Sequence, residues 1–151
     1  MNSYIIKEPK TSNEFELYYK FRWEMLRKPL GQLIGTEKDK FEDNSFHLMI
    51  IKSSNEILAA GRLHKIEKEN CAQIRYMAVS KNYQRRGLGK KILINLEKYA
   101  VNNDINKIIL HSRENAIDFY KKNGYEVIKK THILYDSIQH WMMLKNNNLG
   151  I

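Results

Sequence analysis

At 151 residues, 42% of them hydrophobic, the chain has the length and apolar content of one globular domain with a filled core. Its 26 Lys and Arg against 17 Asp and Glu give a net charge of +9, which favours an anionic partner without choosing among nucleotide, nucleic acid and membrane surface. The single cysteine, Cys71, excludes an intramolecular disulfide and a zinc site of paired thiolates, and no stretch approaches the roughly 18 apolar residues of a membrane-crossing helix, so a reducing, cytoplasmic setting without a membrane is expected.

Tyr4 to Lys7 predicts a short first strand, ended by Pro9. Thr11 and Glu14 stand at capping-box spacing, and Phe15, Tyr18, Tyr19, Trp23 and Leu26 recur at near-helical intervals, which predicts a helix to about Arg27. Pro29 and Gly31 break it. The polar stretch Gly31 to Ser45 has no clear period and is expected to form a loop with a short helix around Asp39 to Asp43. His47 to Lys52 and Glu56 to Lys65 flank Ser53, Ser54 and Asn55 as an antiparallel hairpin would.

From Ala72 to Val79, Ile74, Tyr76 and Ala78 alternate with Gln73, Arg75, Met77 and Val79, the two-residue period of a strand, bulky on both faces and therefore central. Leu88, Ile92, Leu93, Leu96, Tyr99 and Ala100 mark one stripe of a helix ending near Asn102. Strands at Ile108 to Leu110, Tyr125 to Lys129 and His140 to Leu144, and a helix from Asn115 to Lys122 stopped by Asn123 and Gly124, complete the chain before a frayed tail over Asn146 to Asn148. Strand after strand, then strand, helix, strand, helix, strand, predicts an α/β fold with a mixed sheet and helices on its faces, in a single domain over residues 1–151.

The segment Gln84-Arg85-Arg86-Gly87-Leu88-Gly89-Lys90 lies between the central strand and the long helix, so Gly87 and Gly89 are expected in the helix's first turn. There the first backbone N–H groups lack intrahelical partners, the helix dipole favours negative charge, and glycine lets a phosphate approach the backbone. Arg85, Arg86 and Lys90 add cationic side chains, and a pyrophosphate suits this loop. It is not a P-loop, since Lys90 and Lys91 follow Gly89, and not a dinucleotide fingerprint, since Ile92 stands where a third glycine is needed.

These residues resemble the cofactor loop of the Gcn5-related N-acetyltransferases, the GNAT family, whose pattern Gln/Arg-x-x-Gly-x-Gly/Ala is matched by Gln84, Gly87 and Gly89. Arg75 to Val79 looks like that family's central strand, and Asn115-Ala116-Ile117-Asp118-Phe119-Tyr120-Lys121-Lys122-Asn123-Gly124-Tyr125 is similar to its second signature. The resemblance spans Ala72 to Val127 and implies a GNAT-like acyl-CoA N-acyltransferase fold, its sheet splayed after the fourth strand.

It also implies an N-acetyltransferase that passes the acetyl group of acetyl-CoA to a primary amine of a small molecule or peptide in a ternary complex, with no metal. Met77, Ala78 and Val79 would pair with the pantetheine arm, Gln84, Arg85, Arg86, Gly87, Leu88, Gly89 and Lys90 would hold the pyrophosphate, and Asn115, Tyr120 and Lys122 would complete the cofactor site. The resemblance makes Tyr120 the general acid for the leaving thiolate. Many relatives carry a Glu base on the central strand, where Gln73 and Arg75 stand here, and neither can serve. His140 is the first choice of base, ahead of His111, Glu24 or a water chain. The acceptor site is expected from Trp23 to Asp43 with the last strands. Asp39, Asp43 and His47 suggest a metal only by spacing, and none is expected.

Two rivals belong to other classes. A non-catalytic CoA-binding sensor would keep the cofactor loop without turnover. A basic nucleic-acid-binding module would use Lys81, Tyr83, Arg85, Arg86, Lys90 and Lys91, but it leaves the Asn115 to Tyr125 signature unexplained. A homodimer through the sheet edge or C-terminal strands would be ordinary.

Overall fold

The computed structural model describes residues 3–67 and 70–147. The strands β1 (Tyr4–Lys7), β2 (Ser45–Lys52), β3 (Ile57–Ile66), β4 (Cys71–Val79), β5 (Lys107–Arg113), β6 (Glu126–Leu134) and β7 (Ile138–Asn146) accompany the helices α1 (Ser12–Leu26), α2 (Leu88–Asn102) and α3 (Ile117–Lys122). Their sheet order is β1-β2-β3-β4-β5-β7-β6. β4 and β5 run parallel, while β1 with β2, β2 with β3, and β7 with both β5 and β6 run antiparallel, giving the mixed α/β architecture expected. The chain divides into two compact units: the described residues of Met1–His64 with Tyr76–Leu96, and those of Lys65–Arg75 with Glu97–Ile151.

In the first unit α1 starts on the capping box predicted from sequence. The Thr11 hydroxyl accepts the Glu14 N–H at 3.1 Å, and the Glu14 carboxylate accepts the Thr11 N–H at 3.3 Å. Tyr18 of α1 packs into Met49, Ile51, Ile57 and Ala60. Gly61, next to Ala60 on β3, faces Ile92 and Leu96 of α2. Successive strand residues point to opposite faces, so the helices of this unit lie on both sides of its strands.

Two sequence expectations are corrected here. The short helix around Asp39 to Asp43 is one turn of 3-10 helix at Glu42–Asn44, because the preceding residues are held by side chains rather than by helical bonds. Gly87 lies outside α2, which begins at Leu88, since its φ of +81° is left-handed and incompatible with a helical position.

In the second unit the β4–β5 ladder runs from Cys71↔Lys107 to Ile74↔Leu110 and stops there. Ile108, Leu110 and Ser112 are buried in alternation along β5. The helix expected from Asn115 starts at Ile117, behind a 3-10 turn at Glu114–Ala116. β6 and β7 extend beyond their predicted cores and are joined through Tyr135 and Asp136, both left-handed at φ +49° and +58°. Tyr135-Asp136 lacks the Asn-Gly or Asp-Gly pair that signals a tight hairpin turn, so the hairpin was not legible. The tail is also better held than predicted: Asn146 belongs to β7, and the Asn147 N–H donates to Asn106 O at 2.7 Å, while Asn148 lies outside the described residues.

Candidate active site

In the first unit, β4 ends at Val79 and leads through a 3-10 turn at Lys81–Tyr83 to the glycine loop. The Gln84 amide closes that path by donating to Val79 O at 3.2 Å. Arg85 and Gly87 are both left-handed, at φ +64° and +81°, on either side of Arg86. Such alternation turns successive N–H groups into one concavity, a backbone arrangement that binds anions. The first intrahelical bond of α2 runs from the Lys91 N–H to Gly87 O at 3.1 Å, so the N–H groups of Leu88, Gly89 and Lys90 precede the helical ladder. Leu88 is buried and anchors the turn, while Arg85, Arg86 and Lys90 are exposed. A Cβ built on Gly87 meets nothing within 4 Å, so its glycine serves the left-handed φ and leaves open space before the helix. The donor set fits a pyrophosphate: converging N–H groups, a helix start and three cations.

Upstream on β4, Tyr76 has φ +60°, a costly conformation for a bulky residue. Its ring is covered by guanidinium groups, with Arg22 at 3.7 Å, Arg62 at 5.0 Å and Arg27 at 5.6 Å from the centroid. Arg22 and Arg62 are fully buried. Arg22 forks onto the Glu42 carboxylate at 2.9 and 2.8 Å, and Arg62 reaches the same carboxylate at 2.9 Å and Asp39 at 2.6 and 3.0 Å. Arg22 also donates to Glu37 O, Arg27 to Thr36 O at 3.0 Å, and Trp23 to Gln32 O at 2.9 Å. The loop that sequence left without a period is thus tied down by buried cations. Burial alone would raise the Glu42 pKa, but the Arg22 fork and the Asp39 N–H pull it below the ordinary carboxylate value.

His47, offered by spacing as a metal ligand, sits inside this network. Its Nε2 lies 2.8 Å from Glu42 O, a pure acceptor, so Nε2 carries the proton and Nδ1 accepts from the Tyr18 hydroxyl at 2.9 Å. Burial holds His47 below its ordinary pKa. Asp39 is engaged by Arg62. A cavity of about 390 Å³ opens beside these groups, lined by Glu8, Pro9, Phe15, Tyr19, Glu42, Asp43, Ser45 and His47. Of the expected acceptor segment it includes Glu42 and Asp43, not Trp23, Met25 or Leu26. Glu24 is exposed on α1.

In the second unit, Asn115 lies exposed in the 3-10 turn before α3, and Lys122 is exposed at the helix's end. Tyr120 is buried against Phe119 and Tyr125, ring centroids at 5.0 and 5.8 Å, and burial drives its phenol well above the ordinary pKa, so it stays protonated. His140 and His111, the two candidate bases, belong to one cluster with His132 of β6, a residue the sequence reading missed because it ended that strand at Lys129. The Nδ1–H of His140 donates to Ile138 O at 3.0 Å, which leaves Nε2 as its basic atom. Burial lowers the pKa of both His111 and His140. Arg22 and Arg62 were also missed, although an Arg four residues after Tyr18 on an apolar stripe, and another inside the apolar run of β3, were available signals.

Known proteins share this chain's sequence pattern and its fold. The profile of the "Acetyltransferase (GNAT) family" matches residues 9–125. The uncharacterized N-acetyltransferase YjcF of Bacillus subtilis (strain 168) is 30% identical over 110 residues, 73% of this chain and 76% of that protein. Among solved structures, an acyl-CoA N-acyltransferase from Pseudomonas aeruginosa superposes with a TM-score of 0.79 at 19% identity, covering 96% of this chain and 99% of that one. An aminoglycoside 6'-N-acetyltransferase complexed with coenzyme A does so with a TM-score of 0.80 at 12% identity, covering 97% and 99%. At these identities the structures establish the fold.

Proposed function

The chain belongs to the acetyltransferase (GNAT) family, and from that premise we propose that it transfers the acetyl group of acetyl-CoA to a primary amine of a small molecule or peptide by direct attack in a ternary complex. The observation that carries this reading is the loop before α2, where left-handed Arg85 and Gly87, open helix N–H groups and three cations form a built anion cradle at the end of β4. Gln84 to Lys90 hold the pyrophosphate. Met77, Ala78 and Val79 offer strand backbone to the amides of the pantetheine arm, with Asn115 and Lys122 as further polar partners. When bound, acetyl-CoA supplies an activated acetyl thioester.

Direct transfer is favoured because Cys71, the one cysteine in the sequence, is buried and offers no exposed thiol to carry an acyl group. His140 is the base that takes a proton from the acceptor ammonium through Nε2, its tautomer set by Ile138 O. Tyr120 is the acid that gives its phenolic proton to the departing sulfur. Because a thiolate is a good leaving group, Tyr120→Phe is expected to lower kcat by only about 10- to 100-fold, at the bottom of the range for acid catalysis. His140→Gln is expected to lower kcat more and to remove the acidic limb of the pH–rate profile.

The test is thiol release from acetyl-CoA across polyamines, amino sugars, aminoglycosides, amino acids and peptide N-termini. Turnover on at least one class, weakened in Gly87→Ala through a raised KM for acetyl-CoA, is the expected result. Tight acetyl-CoA binding with no release on any amine would instead favour a CoA sensor, and salt-sensitive oligonucleotide binding without CoA binding would favour the nucleic-acid module.

A further inference from the structure

Position 76 of β4 is one where glycine would be at ease, and a tyrosine occupies it. Tyr76 takes φ +60°, and a bulky L-residue keeps that conformation only where its surroundings over-determine it. The β4–β5 ladder has ended two residues earlier, at Ile74↔Leu110, and Met77, Ala78 and Val79 follow Tyr76 directly to the end of the strand. A left-handed residue inside a strand bends it and re-aims the groups that come after it. Whatever holds Tyr76 therefore decides where the N–H and C=O groups of the next three residues point.

The group that holds it is Arg22. Its guanidinium carbon lies 3.7 Å from the Tyr76 ring centroid, against 5.0 Å for Arg62 and 5.6 Å for Arg27, and both Tyr76 and Arg22 are buried, where such a contact is strongest. Arg22 is itself fixed. It forks onto the Glu42 carboxylate, donates to Glu37 O, and carries the Tyr18 and Tyr19 rings at 5.3 and 5.0 Å. One residue beyond Tyr76, Met77 Sδ and Ile92 Cγ2 both lie 2.6 Å from where a Cβ on Gly61 would fall, so packing over that glycine anchors the far side of the turn.

We propose that Arg22 is a positioning residue for the cofactor: stacked on Tyr76, it keeps the left-handed turn of β4 that aims the backbone of Met77, Ala78 and Val79 at the amides of the pantetheine arm. The proposal rests on the reading above that those three residues take that arm. It also gives the segment between α1 and β2 a task, since Glu37 and Glu42 fix the guanidinium that fixes the strand. A backbone already held in its binding conformation spares the ordering cost on association, so the effect falls on acetyl-CoA affinity and not on the chemical step.

Two measurements test it. The first needs no cofactor. A left-handed residue gives a strong intraresidue HN–Hα NOE, which is read at position 76 of the intact protein. It is expected in the parent and in Tyr76→Phe, which keeps the ring, and should weaken or vanish in Arg22→Met while the cross-strand NOEs of β2 and β3 persist. A Tyr76 that stays left-handed in Arg22→Met, or that is not left-handed in the parent, overturns the proposal. In the second, calorimetry and thiol release follow acetyl-CoA. Arg22→Met is expected to raise its Kd and KM about fivefold or more, the size of the left-handed preference that the ring no longer offsets, with kcat and the KM of the amine close to those of the parent.

Tyr76→Ala and Tyr76→Gly decide the matter should Arg22→Met fail to fold, because both remove the ring and they differ in their freedom at φ +60°. Tyr76→Gly should bind acetyl-CoA at least about threefold more tightly than Tyr76→Ala. Adding Arg22→Met to Tyr76→Gly should cost no further affinity, since the arginine then has no ring to act through. Equal affinities of the alanine and glycine variants, or the same Arg22→Met penalty with and without Tyr76→Gly, overturn the proposal. If the NOE responds as expected while the parent binds no acetyl-CoA, the arginine clamp on the turn stands and the pantetheine reading is what fails.

Discussion

At the scale of single residues, Arg22 has the largest structural consequence. It is fully buried, it forks onto Glu42, and its guanidinium lies on the Tyr76 ring. Its Nε and that of Arg62 are buried without hydrogen-bond partners among the described residues, so the guanidinium groups are held through their terminal nitrogens and their ring contacts. Removing Arg22 strips Glu42 of its two-point partner and leaves it Arg62 and the Asp39 N–H, so Arg22→Ala is expected to cost about 3 kcal/mol in urea unfolding, the lower end for a broken buried pair. Arg22→Met, of similar length and no charge, should cost about as much, because Glu42 loses the Arg22 fork in both. If Arg22→Met unfolds like the parent protein, Glu42 does not depend on the fork. Replacing both partners, as in Arg22→Met with Glu42→Gln, should recover part of the loss.

At the scale of elements, two glycines do opposite jobs. Gly61 sits where β3 meets α2, and a Cβ there would fall 2.6 Å from Ile92 Cγ2 and from Met77 Sδ. A β-branched methyl cannot swing away, so Gly61→Ala is expected to destabilise by about 1–3 kcal/mol, the usual range for overpacking, measured by thermal or urea unfolding. Gly87 faces open space but needs φ +81°. Gly87→Ala should therefore cost only about 1–2 kcal/mol of backbone strain in stability, while its larger effect falls on acetyl-CoA affinity, read by calorimetry. A Gly87→Ala protein that binds acetyl-CoA like the parent would show that the left-handed turn does not shape the cradle. At the start of α1, Thr11→Ala removes a capping-box acceptor and should cost about 1 kcal/mol.

At the scale of the whole molecule, the histidines set a pH dependence. His47, His111 and His140 all have folded pKa values below the ordinary histidine value, for which burial is the leading cause in each. The unfolded chain therefore binds more protons than the folded one as pH falls below about 6.5, and stability is lost progressively through that region. Glu42, also depressed in the fold, adds a second loss further into acid, below the ordinary carboxylate pKa. Urea midpoints at pH 7.5, 6 and 5 should decline in that order, and His47→Gln should flatten the upper part of the decline. A midpoint that does not change from pH 7.5 to 5 would mean that the buried imidazoles are free to take protons in the folded state.

What the sequence by itself determined is local and periodic. The capping box at Thr11, the alternation of β4, the apolar stripe of α2, the glycine loop and the family signature all lie in contiguous residues whose spacing repeats the geometry of one element. The residues decided only by tertiary structure are those whose partners are far away in sequence. Arg22 is a solvated helix cation until Glu42 and Tyr76 close over it, because burial and pairing are properties of three segments at once. The histidine cluster needs β5, β7 and β6 in that spatial order, which no single strand encodes. The glycine loop was legible as a strand-to-helix turn, yet its left-handed Arg85 and the exclusion of Gly87 from the helix emerged only with the backbone, since a sequence names the residue that can adopt a conformation and the fold decides which one does.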